Sequence, residues 1–232
     1  MRRIDVIVLL AVAIAAGVLA LVVLDRSSTR GPTPPRANVA TQLRGIQQSF
    51  IIHAQSNKGY YPGLDSSGNL VDSRLSAQFA MLLDANYFTP DYLINQLDLS
   101  SSEAVDYGSG YVVSVFNHSF AGLDLTTPGG RLNAWPEAYT PDEVVVGDRN
   151  LGSDAHENTR SFYSGRWGGW EGVVVRNDNS TSYEETHMIE TAYTEPTSRP
   201  STAATRSGEL HEHDKDNLFE AAGAHDAWLV HD

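Results

Sequence analysis

The sequence predicts an α+β protein: an N-terminal transmembrane helix, then an amphipathic helix packed on an antiparallel β-sheet. Three observations carry the prediction. Val6 to Leu24 is an uncharged apolar run of 19 residues. A stripe of Val39, Leu43, Ile46 and Phe50 follows at spacings of four, three and four. From Ser100 onward, short runs rich in Val and aromatics alternate with Gly, Pro, Asn and Asp. Helices first and strands after is the α+β order.

The apolar run sets the topology. At 1.5 Å rise per residue it reaches about 29 Å, close to the ~30 Å hydrocarbon core of a bilayer. Arg2 and Arg3 precede it, and a positive flank stays on the cytoplasmic side. The expectation is a single-pass protein of the inner membrane, N-terminus inside, with its C-terminal domain periplasmic or otherwise extracytoplasmic. A cleaved signal peptide is the competing reading, but its apolar core is shorter and ends in a small-x-small site. Here Ala13, Ala15, Ala16 and Gly17 sit mid-run, with Val22, Val23 and Leu24 still to come. Residues 1–26 are therefore read as a transmembrane signal-anchor. Residues 27–37 form a linker broken by Pro32, Pro34 and Pro35, and 38–232 form the extracytoplasmic domain.

Within that domain the first helix is expected from an Asn38 N-cap to a stop at Asn57, Lys58 and Gly59, with Ala54 extending the stripe. Tyr60 to Gly63 turns the chain. A second helix is expected from Asp72 or Ser73 to about Asn86, its stripe Leu75, Phe79, Leu82 and Leu83. Thr89-Pro90 predicts a short helix over Pro90 to Asn95. Expected strands are Tyr111–Phe116, Glu143–Val146, Gly172–Arg176, Ser182–Glu184, Met188–Ala192 and Trp228–Val230. A hairpin turn falls at Arg176 to Asn179. Residues 195–208, poor in large apolar side chains, read as a flexible insertion.

Composition narrows function. A net charge of −13 and a pI near 4.9 argue against nucleic acid and against a flat seat on an anionic membrane. With no cysteine, disulfides, iron–sulfur clusters and thiolate zinc sites are excluded. No nucleophile-elbow, phosphate-loop or zinc-protease motif is present, so turnover chemistry is not expected. The densest ligand cluster is His211-Glu212-His213-Asp214, with Asp216, His225 and His231 downstream, and a solvated loop is its stronger reading. Asp214, Asp216 and Asn217 offer hard oxygens for calcium, the one cofactor the chain suggests. Asp148-Arg149-Asn150 reads as an internal hydrogen-bond network at a strand end or a plain turn, the network being preferred. Trp167 and Trp170, flanking two glycines, read as a cap on the sheet core or as an exposed binding patch. In the bilayer, small residues such as Ala11, Ala15 and Gly17 would let a second helix approach closely.

Several segments resemble the bacterial pseudopilin-like (prepilin-type) family. The apolar start followed by QLRGIQQSFIIHAQSNKGYYPG (42–63) is similar to that family's pattern after its N-terminal helix. LLDANYFTPDYLIN (82–95) resembles the lead into its sheet. VVVGDRN (144–150) and RSFYSGRWGGWEGVVVRNDNSTSYE (160–184) resemble its C-terminal region. The match departs from the family at the cleavage site: Arg3 stands where prepilins carry Gly, and Val8 where they carry the Glu that seats a subunit in a pilus. Asp178-Asn179 stands where the family has Asp-Gly. The resemblance implies a pilin-like fold with calcium in a C-terminal loop. It also implies a minor subunit of a type II secretion or type IV pilus-like assembly, partnered by other pilin-like subunits or envelope proteins. Two alternatives stand beside it. One is a free-standing anchored module binding an extracytoplasmic polymer or protein through its sheet and the Trp167–Trp170 loop; the other is a membrane-tethered hydrolase.

Overall fold

Spacings of four, three and four place Val39, Leu43, Ile46 and Phe50 on one side of a helix, and all four are fully buried, as is Ala54. The computed structural model describes residues 34–126, 141–155, 157–163, 168–189, 216–220 and 228–232. The run Val6–Leu24, with Ala11, Ala15 and Gly17, and the insertion at 195–208 lie outside the described residues. Among those described, no helix is long and apolar enough to cross a membrane. The packed unit spans Arg36–Asp232; the other unit, Met1–Pro35, is almost wholly outside the described residues.

Helix α1 (Pro34–Ser56) begins earlier than the sequence suggests. Pro34 and Pro35, read as linker, form its first turn, because proline lacks only an N–H that a helix start leaves unpaired anyway. Asn38 is therefore inside the helix and does not cap it. The stop is as expected: Lys58 (φ +55) and Gly59 (φ +90) leave helical space, and Gly59 N donates to Ala54 O at 2.8 Å.

Helix α2 (Leu75–Asp84) begins later than expected. Asp72 holds residues 72–74 in a turn by accepting from Arg74 N (3.0 Å) and pairing with its guanidinium (2.7 Å). Arg74 offers no side-chain cap, and the cap comes from far away: Leu75 N donates to Asp232 Oδ1 at 2.7 Å. Asp232→Ala is expected to lower stability by about 1 kcal/mol, the usual worth of an N-cap, seen as a lower urea midpoint at constant slope. The expected helix over 90–95 is a shorter 3₁₀ turn, Pro90–Leu93, without a side-chain cap from Thr89.

The described strands form three antiparallel groups. The first is a ribbon of β1 (Val105–Asp106) and β2 (Tyr111–Val112). The main sheet comprises β3 (Phe120–Leu123), β4 (Val144–Asp148), β5 (Gly172–Arg176), β6 (Thr181–Glu184) and β9 (Leu229–Val230). The third group pairs β7 (Met188–Ile189) with β8 (Asp216–Asn217). Spatial order in the main sheet is β6-β5-β4-β3-β9. Every residue of β3 and β4 is buried; since neighbours on a strand face opposite sides, the central sheet is covered on both faces. The strand expected at Tyr111–Phe116 stops at Val112, because Ser114 N and Oγ both donate to Asn117 Oδ1 and close a turn. The strand expected at Glu143–Val146 runs on to Asp148. Of Met188–Ala192, Met188 and Ile189 pair with β8; Glu190 onward lies outside the described residues.

The β5–β6 hairpin turns through Asn177-Asp178-Asn179, with Arg176 N donating to Ser180 O at 2.9 Å. Asn179 holds φ +65, the left-handed conformation in which asparagine stands in for glycine. Helix α1 lies along this hairpin. At its start Arg36 meets Glu171 (3.5 Å) and stacks on the Tyr183 ring at 3.7 Å. Further on, Gln47 Nε2 donates to Tyr61 Oη (2.9 Å) and to Asn177 O (3.3 Å). Eleven helical residues rise about 16 Å and six strand residues about 20 Å, so helix and strand keep pace.

Candidate functional site

Two buried polar clusters meet where β4 ends, at Asp148 and Arg149. The first is centred on Asp98. Its carboxylate accepts Ser100 Oγ (2.6 Å), Ser101 Oγ (2.6 Å) and Ser100 N (3.0 Å) from its own loop, the local turn chemistry of an aspartate followed by serines. Ser119, just before β3, adds a hydroxyl at 2.8 Å, and Arg149 Nη2 pairs with Oδ2 at 2.8 Å. Burial opposes the Asp98 charge, yet these hydroxyls and the guanidinium hold its carboxyl below the usual range. Arg149 is itself buried, with Phe162 5.7 Å from its guanidinium carbon.

Two histidines complete this cluster. Arg149 Nη1 lies 2.9 Å from His231 Nε2. A guanidinium can only donate, so Nε2 accepts from it; the same nitrogen also lies 3.1 Å from His118 O. Burial first, then the neighbouring His118 and Arg149, push His231 down to about 4. The rings of His118 and His231 stand 4.5 Å apart. His118 faces the carbonyls of Phe120 (2.9 Å) and Asp232 (3.2 Å), and burial keeps its pKa low as well.

The second cluster is centred on Asp148. Oδ1 accepts Asn95 Nδ2 (2.9 Å) and Oδ2 accepts Val173 N (2.8 Å); the Tyr163 hydroxyl is a third partner. Full burial raises the Asp148 pKa to about 6. Tyr163 is pushed up too, by burial and by Asp148. A side chain at position 172 would strike Trp170 at 2.6 Å and crowd Asp148 at 3.0 Å, so Gly172 lets the two neighbours close over it.

No family model, curated protein or solved structure matches the chain.

The expected network at Asp148 and Arg149 exists. Asn150 serves it only as a turn, its Oδ1 accepting Gly152 N (2.8 Å) and Arg160 N (2.9 Å). Trp170 is core: it is 1% exposed, with its ring 5.3 Å from Phe219, so the exposed-patch reading fails for this residue. Trp167 and Asp214 lie outside the described residues. Asp216 has its backbone in β8, paired with Ile189. Asn217 spends both side-chain groups internally, Nδ2 on Ala155 O (2.8 Å) and Oδ1 on Phe219 N (3.0 Å). Among the described residues no three of His, Asp and Glu converge as a metal would need. Sequence reasoning misses Asp98, His118, Ser119 and His231 as partners of Arg149. The Asp98-Leu-Ser-Ser101 pattern was the available signal, because serines two and three residues after an aspartate commonly turn back onto it.

Proposed function

We propose that the chain is a non-enzymatic, membrane-anchored envelope protein of pseudopilin-like type, a minor subunit of a type II secretion or type IV pilus-like assembly. The observation that carries this reading is α1. It begins ten residues after Leu24 and presses an unbroken apolar stripe into the core beside an antiparallel hairpin. An anchor followed by such a helix suits a subunit whose head is displayed outside the bilayer while Ala11, Ala15 and Gly17 serve helix contacts within it. The buried clusters support a structural role. The hydroxyls of Ser100, Ser101 and Ser119 donate to the Asp98 carboxylate and not to an imidazole, so none is set up as an activated nucleophile.

The test is an export-dependent reporter fused behind Asp232, with mass spectrometry of the mature N-terminus and cross-linking in cells. An active reporter, membrane fractionation and cross-links to pilin-like chains are expected. A cytosolic reporter would overturn the anchor. A monomer without such cross-links, with its N-terminus intact, would overturn assembly and favour the anchored binding module.

A further inference from the structure

We infer that the outer face of the β1–β2 ribbon is a docking surface for a protein segment with apolar side chains at its centre and Lys or Arg at its rim. The surface goes beyond the anchored reading and does not depend on it. Val105 and Val112 are cross-strand partners and so project from the same face of the ribbon; Tyr107, two residues past Val105, returns to that side. All three are exposed, by 54%, 60% and 71%. The opposite face carries Tyr111, which packs against the core. A two-stranded ribbon on a folded head is expected to turn polar side chains outward, and this one turns apolar ones. The patch continues at the ribbon's foot, where Ser102 N donates to Phe116 O at 2.8 Å. Phe116 is 67% exposed there, and Leu99, three residues before Ser102 in the chain, is 97% exposed. Such clustering of large apolar groups marks an interaction site more often than scattered single residues do.

Charge selects the occupant. Between Arg74 and Arg131 there is no Lys or Arg, while Asp84, Asp91, Asp98, Glu103, Asp106 and Asp124 fall in that span. Asp84 stands beside the ribbon, its Oδ1 accepting Tyr111 N at 2.7 Å; Glu103 lies two residues before Val105, and Asp106, paired with Tyr111, is exposed on the ribbon's other side. Arg149 approaches from behind, 3.5 Å from Val115 O, but is buried and paired with Asp98. A second copy of this chain would bring this acidic span, free of Lys and Arg, against itself, and an anionic lipid surface would be repelled. A basic-rimmed apolar segment meets neither objection.

The test uses the full chain in uncharged detergent micelles and two labelled amphipathic peptides, one of Leu and Lys, the other of Leu and Glu. Fluorescence anisotropy should show the Leu/Lys peptide binding at least tenfold tighter, with hydrogen-exchange protection of residues 103–117. Leu99→Ser with Phe116→Ser keeps the charge, and Glu103→Lys keeps the apolar groups. Each variant should weaken binding at least tenfold while unfolding at the wild-type urea midpoint. Equal affinity for the two peptides would overturn the inference, as would affinity unchanged in both variants. So would self-association abolished by Leu99→Ser with Phe116→Ser, or binding of phosphatidylglycerol vesicles through the same residues.

Discussion

Replacing Arg149 with methionine is expected to destabilise the protein by about 3–5 kcal/mol, the typical cost of removing one partner from a buried ion pair. Methionine keeps much of the side-chain volume, so packing loss is small and the electrostatic effect dominates. Asp98, 6% exposed, would remain in the interior with three hydroxyls but no cation. His231 Nε2 would lose its donor at the same time. Urea denaturation at pH 7, followed by tryptophan fluorescence, measures the loss. A second variant isolates the cause: Asp98→Asn in the Arg149→Met background removes the stranded charge and should recover a substantial part of the stability. A double variant no more stable than Arg149→Met would show that the charge is not what matters.

The second large effect concerns pH, and two groups oppose one another. Asp148 has a folded pKa of about 6 against about 3.9 in an unfolded chain. As pH falls from 6 to 4 the native state takes up its proton first, so this group adds stability on acidification. A shift of about two units corresponds to about 3 kcal/mol. His231 has a folded pKa of about 4 against about 6.5 unfolded, and His118 is lowered in the same direction. Over that window the unfolded chain takes up their protons first, so they remove stability on acidification. His231 contributes less than its shift alone implies, because it is partly open to solvent. The wild-type profile between pH 6.5 and 4 should therefore lie between those of the two variants. Asp148→Asn should lose stability more steeply than wild type as pH falls, and His231→Asn should lose it less steeply or gain it. Differences between variant and wild type, measured by urea denaturation at half-unit steps, remove the contribution of the other carboxylates. Parallel profiles for Asp148→Asn and wild type would rule out a buried, proton-retaining Asp148.

What could be read from the sequence divides by how local the determining physics is. The α1 stripe was legible because burial recurs with the helical period. The β5–β6 hairpin was legible because Val173-Val174-Val175 runs into an Asn-Asp-Asn turn. Strand β3 was not. Its Phe120-Ala-Gly-Leu123 has no β-branched residue, and its composition is set by a neighbour: a side chain on Gly122 would meet Leu75 of α2 at 2.7 Å. Strands β1 and β8, two residues each, are too short for alternation to register. Helix boundaries went astray where the cap came from a distant residue, as with Asp232 at α2. The same holds at the polar clusters. The Asp148–Arg149 dipeptide suggested a network, but its partners Asp98, Ser119, His118 and His231 are brought together only by the pairing of β3 with β4 and β9.

That pairing bears on how the head comes together. Residues 228–232 supply the outermost strand beside β3, the acceptor for Arg149 and the carboxylate at the mouth of α2, a contact spanning 157 positions. Until they arrive, β3 presents a bare hydrogen-bonding rim, the kind of surface on which nascent chains clump. Closure of so long a loop is entropically slow. Exposure to misassociation therefore ends only when residues 228–232 have docked on β3.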